Sequence, residues 1–172
     1  MRSRRMTTGV NVQKRLDYMD RVAVRAARPA DVDYIRSLAK RVFGQYGPYE
    51  NIIARWFVSG IAVTLLALME KQPVGFAMLC RFEREWYPPV VSELLAIAVE
   101  PAKWRIGIGD LLMREVLTVA EELKVARVFL HTAVENLPAR ELFKKYGFAA
   151  FELKENFYPK GQDALMMYKN IA

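Results

Sequence analysis

Residues 92–112 read SELLAIAVEPAKWRIGIGDLL. Positions 94–99 form an unbroken apolar run, the pattern of a strand buried on both faces. Pro101 ends it. Gly107 and Gly109 then remove side chains where the next helix must begin. Main-chain N–H groups over 107–110 can converge on one point there, and the helix dipole adds partial positive charge. Such a turn holds a phosphate or pyrophosphate. It is not a dinucleotide fingerprint, because no third glycine follows at the required spacing, nor a Walker loop, because no Gly-Lys-Ser/Thr follows. The spacing alone also fits a turn that merely lets the helix pack close on its strand, so the remaining sequence has to decide.

Upstream, residues 22–28 read as a first strand stopped by Pro29. Val32, Ile35, Leu38, Ala39 and Val42 recur at helical spacing over 30–43, with Asp31 and Asp33 at the favourable end. A second short helix fits 49–58 after the break at 44–48. Runs 61–69 and 74–81 form an antiparallel hairpin, and 83–89 is a charged, aromatic loop. Downstream, an amphipathic helix runs to about 124, a strand covers 127–134, and a helix covers 136–146 with Gly147 at its stop. Strands at 148–153 and 164–168 finish the chain. The order β-α-α-β-β-β-α-β-α-β-β predicts a mixed α/β sheet flanked by helices.

At 172 residues the chain suits one domain able to bury about 70% of its unfolded surface. We expect a partly mobile basic arm over 1–20 and a single domain over 21–172. No apolar run is long enough to span a bilayer and no apolar stretch follows Arg2, Arg4 and Arg5 as in a secretory signal, so the expected location is cytoplasmic, without membrane contact. One cysteine, Cys80, excludes an intramolecular disulfide, and with a single histidine no Cys/His zinc site is expected; no metal is. The net charge of +7 suits a polyanionic cofactor or acidic partner, but its residues are dispersed, and a nucleic-acid partner is not expected.

This order and turn resemble the GNAT superfamily of acetyl-CoA-dependent N-acetyltransferases. The marks are Val24-Arg25-Ala26-Ala27-Arg28-Pro29-Ala30-Asp31, the IAVEP at 97–101, the GIG turn, and Asn136-x-x-Ala139-x-x-Leu142-Phe143-x-x-x-Gly147-Phe148. The tail Asn156-Phe157-Tyr158-Pro159-x-Gly161-x-Asp163-Ala164-x-x-Met167 is similar to the ribosomal-protein alanine and protein N-terminal acetyltransferase branch. The resemblance implies a GNAT fold: a mixed, mostly antiparallel seven-stranded sheet with about four helices and a splay between strands 4 and 5. It implies that pantetheine lies in the splay against main-chain groups of Ile97, Ala98 and Val99. The diphosphate would sit on Arg105, Ile106, Gly107, Ile108, Gly109 and Asp110, with Asn136 and Phe143 also at the cofactor. Asn136 reads equally well as a helix N-cap. One departure is Trp104, where the family has Arg or Gln.

Acetyl transfer requires an amine that loses its proton, a polarised thioester carbonyl and a stabilised thiolate. By resemblance Glu93 holds a position where some members place a glutamate base, and simple alternation sets it on the face of Leu95, Ile97 and Val99. His131 stands where the ribosomal-protein branch has a glutamate, and an imidazole there could relay a proton. The family's general-acid tyrosine is Phe143 in this chain, which has no proton to give. Tyr146, one helical turn on, and Tyr158, in the tail that cups the peptide in related enzymes, are the candidate replacements. Acceptor walls are expected at 43–49 and 156–159, with Glu83, Glu85, Trp86 and Tyr87 alongside.

These readings predict an acetyltransferase acting by direct ternary-complex attack on a protein N-terminal α-amine or lysine, as a monomer or homodimer. Alternatives are acetylation of a small amine (a polyamine, amino acid or aminoglycoside), or an acetyl-CoA-binding module with weak turnover, which the Phe143 departure favours. A hairpin loop closed over the site favours small acceptors.

Overall fold

A computed structural model describes residues 17, 19–82 and 90–171. Nearly all of the basic arm expected over 1–20 lies outside these residues, as do Glu83, Glu85, Trp86 and Tyr87. The seven strands are β1 (Val22–Ala26), β2 (Ala62–Met69), β3 (Gln72–Phe82), β4 (Val91–Val99), β5 (Arg127–Ala133), β6 (Ala149–Lys154) and β7 (Ala164–Asn170). Their order in one sheet is β1-β2-β3-β4-β5-β7-β6, antiparallel throughout except for the parallel pair β4–β5.

The helices are α1 (Val32–Phe43), α2 (Tyr49–Ser59), α3 (Ile108–Glu122) and α4 (Leu137–Lys145). Their apolar stripes cover opposite faces of the sheet. Leu112, Met113 and Val116 of α3 and Phe143 of α4 join Leu94, Val128 and Leu130 in one core. Ile35, Leu38 and Ile53 of α1 and α2 join Leu66, Phe76, Ala96 and Ala98 in the other. Leu112 is fully buried, and cutting such a side chain to alanine costs about 2–5 kcal/mol.

Two boundaries differ from the sequence expectation. The first strand stops at Ala26, and Pro29–Asp31 forms a separate 3-10 turn before α1. Proline pre-sets the turn, and Asp31 holds it. The Asp31 carboxylate accepts from the Arg28 main-chain N–H at 2.6 Å and from both Arg25 terminal nitrogens at 2.8 and 3.0 Å. Those bonds, that of Arg25 foremost, hold the Asp31 carboxyl below its ordinary value. The hairpin also starts earlier, because the positive-φ pair Glu70 and Lys71 makes the turn, with Gln72 already in β3.

Candidate active site

The fork between β4 and β5 creates the site. The two strands pair only over Val91↔Arg127, Ser92↔Val128 and Glu93↔Phe129. Beyond Glu93, β4 keeps its ladder to β3 alone. The opening is a cavity of about 90 Å³ lined by residues 94–97 of β4 and 130–133 of β5. Phe43, Tyr46, Tyr49, Ile53 and Trp56 wall one side, and Asn136, Ala139 and Phe143 another. Ile53 and Trp56 were missed by the sequence reading. Their spacing from Tyr49 (i, i+4, i+7) puts all three on one face of α2, a signal that was there to be used.

A bulge marks where the strands part. Met78 pairs with Ala96 and Leu79 with Leu94, so Leu95 is an extra residue in β4. This corrects the face assigned to Glu93. Leu94, Ile97 and Val99 pack toward α3, whereas Leu95, Ala96 and Ala98 pack toward α1 and α2. Straight alternation is broken at Leu95, and Glu93 lies opposite Ile97 and Val99. It meets His131 there: the Nδ1–Oε1 distance is 3.3 Å, with side chains 22% (His131) and 28% (Glu93) exposed. The imidazole packs against Phe157 (ring centroids 4.8 Å) and Tyr158 (6.0 Å). His131 lines the cavity and Glu93 does not. Cys80 pairs with Glu93 across β3–β4, and burial, aided by the Glu93 charge, pushes its thiol up.

The anion turn is built from main chain. Gly107, at φ 108°, is the N-cap of α3, and no side chain caps the helix. The first intrahelical bond runs from Leu111 N–H to Gly107 O at 3.0 Å, so the N–H groups ahead of it have no intrahelical acceptor. A Cβ on Gly109 would sit 3.5 Å from Leu142, an ordinary contact, so protein packing does not demand glycine there. Arg105 adopts φ 65°, a left-handed conformation unusual for a residue with a side chain. The side chains of Ile108 and Ala98 are buried in the two cores; the Ala98 main chain faces β3 opposite Phe76, so the open edge of β4 belongs to its alternate neighbours Ile97 and Val99, a correction to the expected place of Ala98 at the cofactor.

Two sequence expectations change here. Trp104 Nε1 donates to Val99 O at 2.8 Å, so that carbonyl is engaged by the residue that departs from the family pattern. Tyr146 does not reach the cavity: its hydroxyl donates to Asp110 O at 2.9 Å. Its ring instead borders a surface depression with Gly107, Asp110, Arg114 and Lys145. Lys145 Nζ meets both Asp110 carboxylate oxygens at 2.7 and 2.6 Å, which clamps the end of α4 to the start of α3. Asn136 does cap α4, accepting from Ala139 N–H at 3.3 Å, and also lines the cavity. Phe143 is buried against Phe148 and forms an apolar wall.

The cavity has a roof. Tyr158 and Tyr46 stack at 5.0 Å, and Tyr49 meets Tyr158 edge-on at 6.1 Å. Burial raises the pKa of all three, that of Tyr158 most, so its hydroxyl stays protonated at neutral pH. Lys160 N–H donates to Tyr46 O, Lys160 Nζ to Gly44 O, and Gln162 Nε2 to Gln45 O. A side chain on Gly47 would strike Pro159 at 2.8 Å. The β6–β7 loop is therefore tied to the α1–α2 loop over the cavity. Among the described residues no helix is long and apolar enough to cross a membrane, and no cluster of His, Cys, Asp or Glu could hold a metal.

The family model described as "Acetyltransferase (GNAT) family" matches residues 32–148. An N-alpha-acetyltransferase of Sulfurisphaera tokodaii is 28% identical over 155 residues, covering 84% of this chain and 90% of that protein. The solved NatC complex bound to Gag peptide and CoA contains a chain that superposes with a TM-score of 0.78 at 18% identity, over 88% of this chain and 99% of that one. The ribosomal-protein-S18-alanine N-acetyltransferase of Escherichia coli gives 0.74 at 20% identity, over 88% and 94%. At those identities the two structures are alike in fold.

Proposed function

The chain belongs to the acetyltransferase (GNAT) family, and within it we propose that the acceptor is the N-terminal α-amine of a polypeptide. The acetyl donor of this family is acetyl-CoA. In the reaction the amine nitrogen bonds the thioester carbonyl carbon, the C–S bond breaks, and the proton given up by nitrogen is matched by one gained at sulfur.

The observation that carries the acceptor reading is the aromatic and apolar lining of the roofed cavity; the roof alone meets the expectation for a small acceptor as well as for a chain terminus. The ties from Lys160 and Gln162 to 44–46 cover it, so an acceptor enters end-on. A chain terminus does this, whereas a lysine flanked by backbone on both sides needs an open groove. Among the described residues no carboxylate lines the cavity, whose acceptor side is aromatic and apolar. That lining disfavours polyamines and aminoglycosides, whose several cations need several anions. It suits one ammonium group beside an apolar first side chain, with aromatic faces to attract the cation.

The remaining roles follow from placement. The amide groups of the 107–110 turn hold the diphosphate, and the β4 edge past Glu93 receives the pantetheine arm. Tyr158, which lines the cavity beside His131, supplies a proton to the departing thiolate in place of the tyrosine replaced by Phe143. Proton removal from the amine falls to the Glu93–His131 pair.

A free-thiol release assay tests the acceptor. Peptides varied at the first residue are run beside N-terminally blocked peptides carrying an internal lysine, spermidine and free amino acids. Turnover confined to unblocked peptides supports the proposal. Turnover of blocked peptides contradicts it. A second reading, a small amine on an apolar group, is favoured by the same roof; preferential turnover of free amino acids would establish it.

A further inference from the structure

We propose that His131 takes the proton from the acceptor amine at Nε2, and that Glu93 is a positioning residue acting through the imidazole without touching substrate. The catalytic half of this statement rests on the acetyltransferase reading; the pairing itself does not.

Three observations carry it. Only His131 of the pair lines the cavity. The ring nitrogen turned to Glu93 is Nδ1, 3.3 Å from Oε1. The ring packs against the neighbouring rings of Phe157 and Tyr158, which limits its rotation. An ionised carboxylate only accepts, so the nitrogen facing it carries the hydrogen. The neutral ring is then the Nδ1–H tautomer, and Nε2 keeps a lone pair for the cavity. The Leu95 bulge makes the pairing possible, since it lets β4 direct Glu93 toward β5's His131 while Ile97 and Val99 face α3.

The step balances. The amine lone pair forms the N–C bond, and the C–S pair goes to sulfur. The amine N–H pair returns to nitrogen as Nε2 takes the proton. The thiolate takes a proton from the Tyr158 hydroxyl, and the imidazolium restores it. Among the described residues the titratable groups facing this ring are Glu93 from β4 and Tyr158 from the β6–β7 loop. Cys80 of β3 stands behind Glu93, and Tyr46 and Tyr49 stand behind Tyr158. The β7 neighbour, Met166, does not titrate.

The chain contains a single histidine, so ¹⁵N imidazole spectra of the intact protein report this ring alone. The expected neutral form is Nδ1–H, with Nε2 bare. In Glu93→Gln the population moves toward Nε2–H, because the carboxylate that holds the hydrogen on Nδ1 is gone. In the peptide assay, His131→Gln loses about 10²–10³-fold in kcat and Glu93→Gln about tenfold, both with little change in peptide KM. Melting temperatures of both variants check folding, and the wild-type spectrum needs neither. A neutral ring in the Nε2–H form, unaltered by Glu93→Gln, overturns the pairing. A fast His131→Gln beside a dead, folded Glu93→Gln makes Glu93 the base and overturns the assignment. If the tautomer is as expected but no amine in the panel is turned over, the acceptor reading fails and the pairing stands.

Discussion

The two ends of the site are built from different materials. The proposed diphosphate end, at 107–110, offers main-chain amides ahead of α3. The proposed acceptor end offers individual side chains, namely Glu93, His131, Tyr158 and the rings around them. An amide is supplied by every residue but proline, so the first end tolerates Trp104 where the family pattern differs. The second end changes its chemistry with each substitution, as the exchange to Phe143 shows. Residue-by-residue variation is therefore expected to alter the acceptor and its proton path before it alters the donor.

The largest effect that tests this contrast comes from the main chain itself. Gly107→Val places a β-branched side chain at φ 108° and in the path of the ligand. Strain of this kind costs about 1–3 kcal/mol, and acetyl-CoA affinity by calorimetry is expected to fall about 100-fold. Retained affinity would remove the main-chain account. At the other end, Tyr158→Phe is expected to lower kcat about 10–100-fold with acetyl-CoA KM unchanged, while Tyr146→Phe stays within about threefold. Equal losses in the two variants would mean that the Asp110-bound tyrosine reaches the thiol after all.

Arg105→Gly sharpens the contrast further. Glycine accepts φ 65° at no steric cost, so the variant is expected to gain about 1 kcal/mol in stability by denaturant melts. Its acetyl-CoA affinity should stay within about threefold; a tenfold loss would give the guanidinium a role that main chain does not fill. The smallest effect belongs to a region outside both ends. Asp31→Asn removes the carboxylate bonded by Arg25 and Arg28, at a cost of about 1–2 kcal/mol near neutral pH. Because the folded carboxyl lies below its ordinary value, its contribution is present above the normal carboxylate range and disappears as the pH falls through the folded value. The gap in melting temperature between wild type and variant should therefore close in acid, and acetyl transfer should be unaffected by the substitution.

The same contrast governs what could be read from sequence. The turn ahead of α3 was legible because its requirement is a glycine spacing followed by a helix, and Gly107 and Gly109 declare it. The element order and both helix faces were legible because apolar periodicity is local. The acceptor end was legible in its residue types but not in its directions. One extra residue, Leu95, reverses the side on which Glu93 lies, and nothing in SELLAIAV marks a bulge. The engagement of Tyr146 by Asp110 spans 36 positions, and the roof depends on Lys160 and Gln162 reaching 44–46, contacts of a separation that no local pattern encodes.

The most direct measurement follows backbone amide resonances while acetyl-CoA is added to the full chain. The account predicts saturable shifts concentrated at residues 106–111 and along the β4 edge at 94–99, with the Arg25–Asp31 region silent. Shifts scattered over the surface, or none at millimolar ligand, would contradict the assignment of the parted strands and the glycine turn as the donor site.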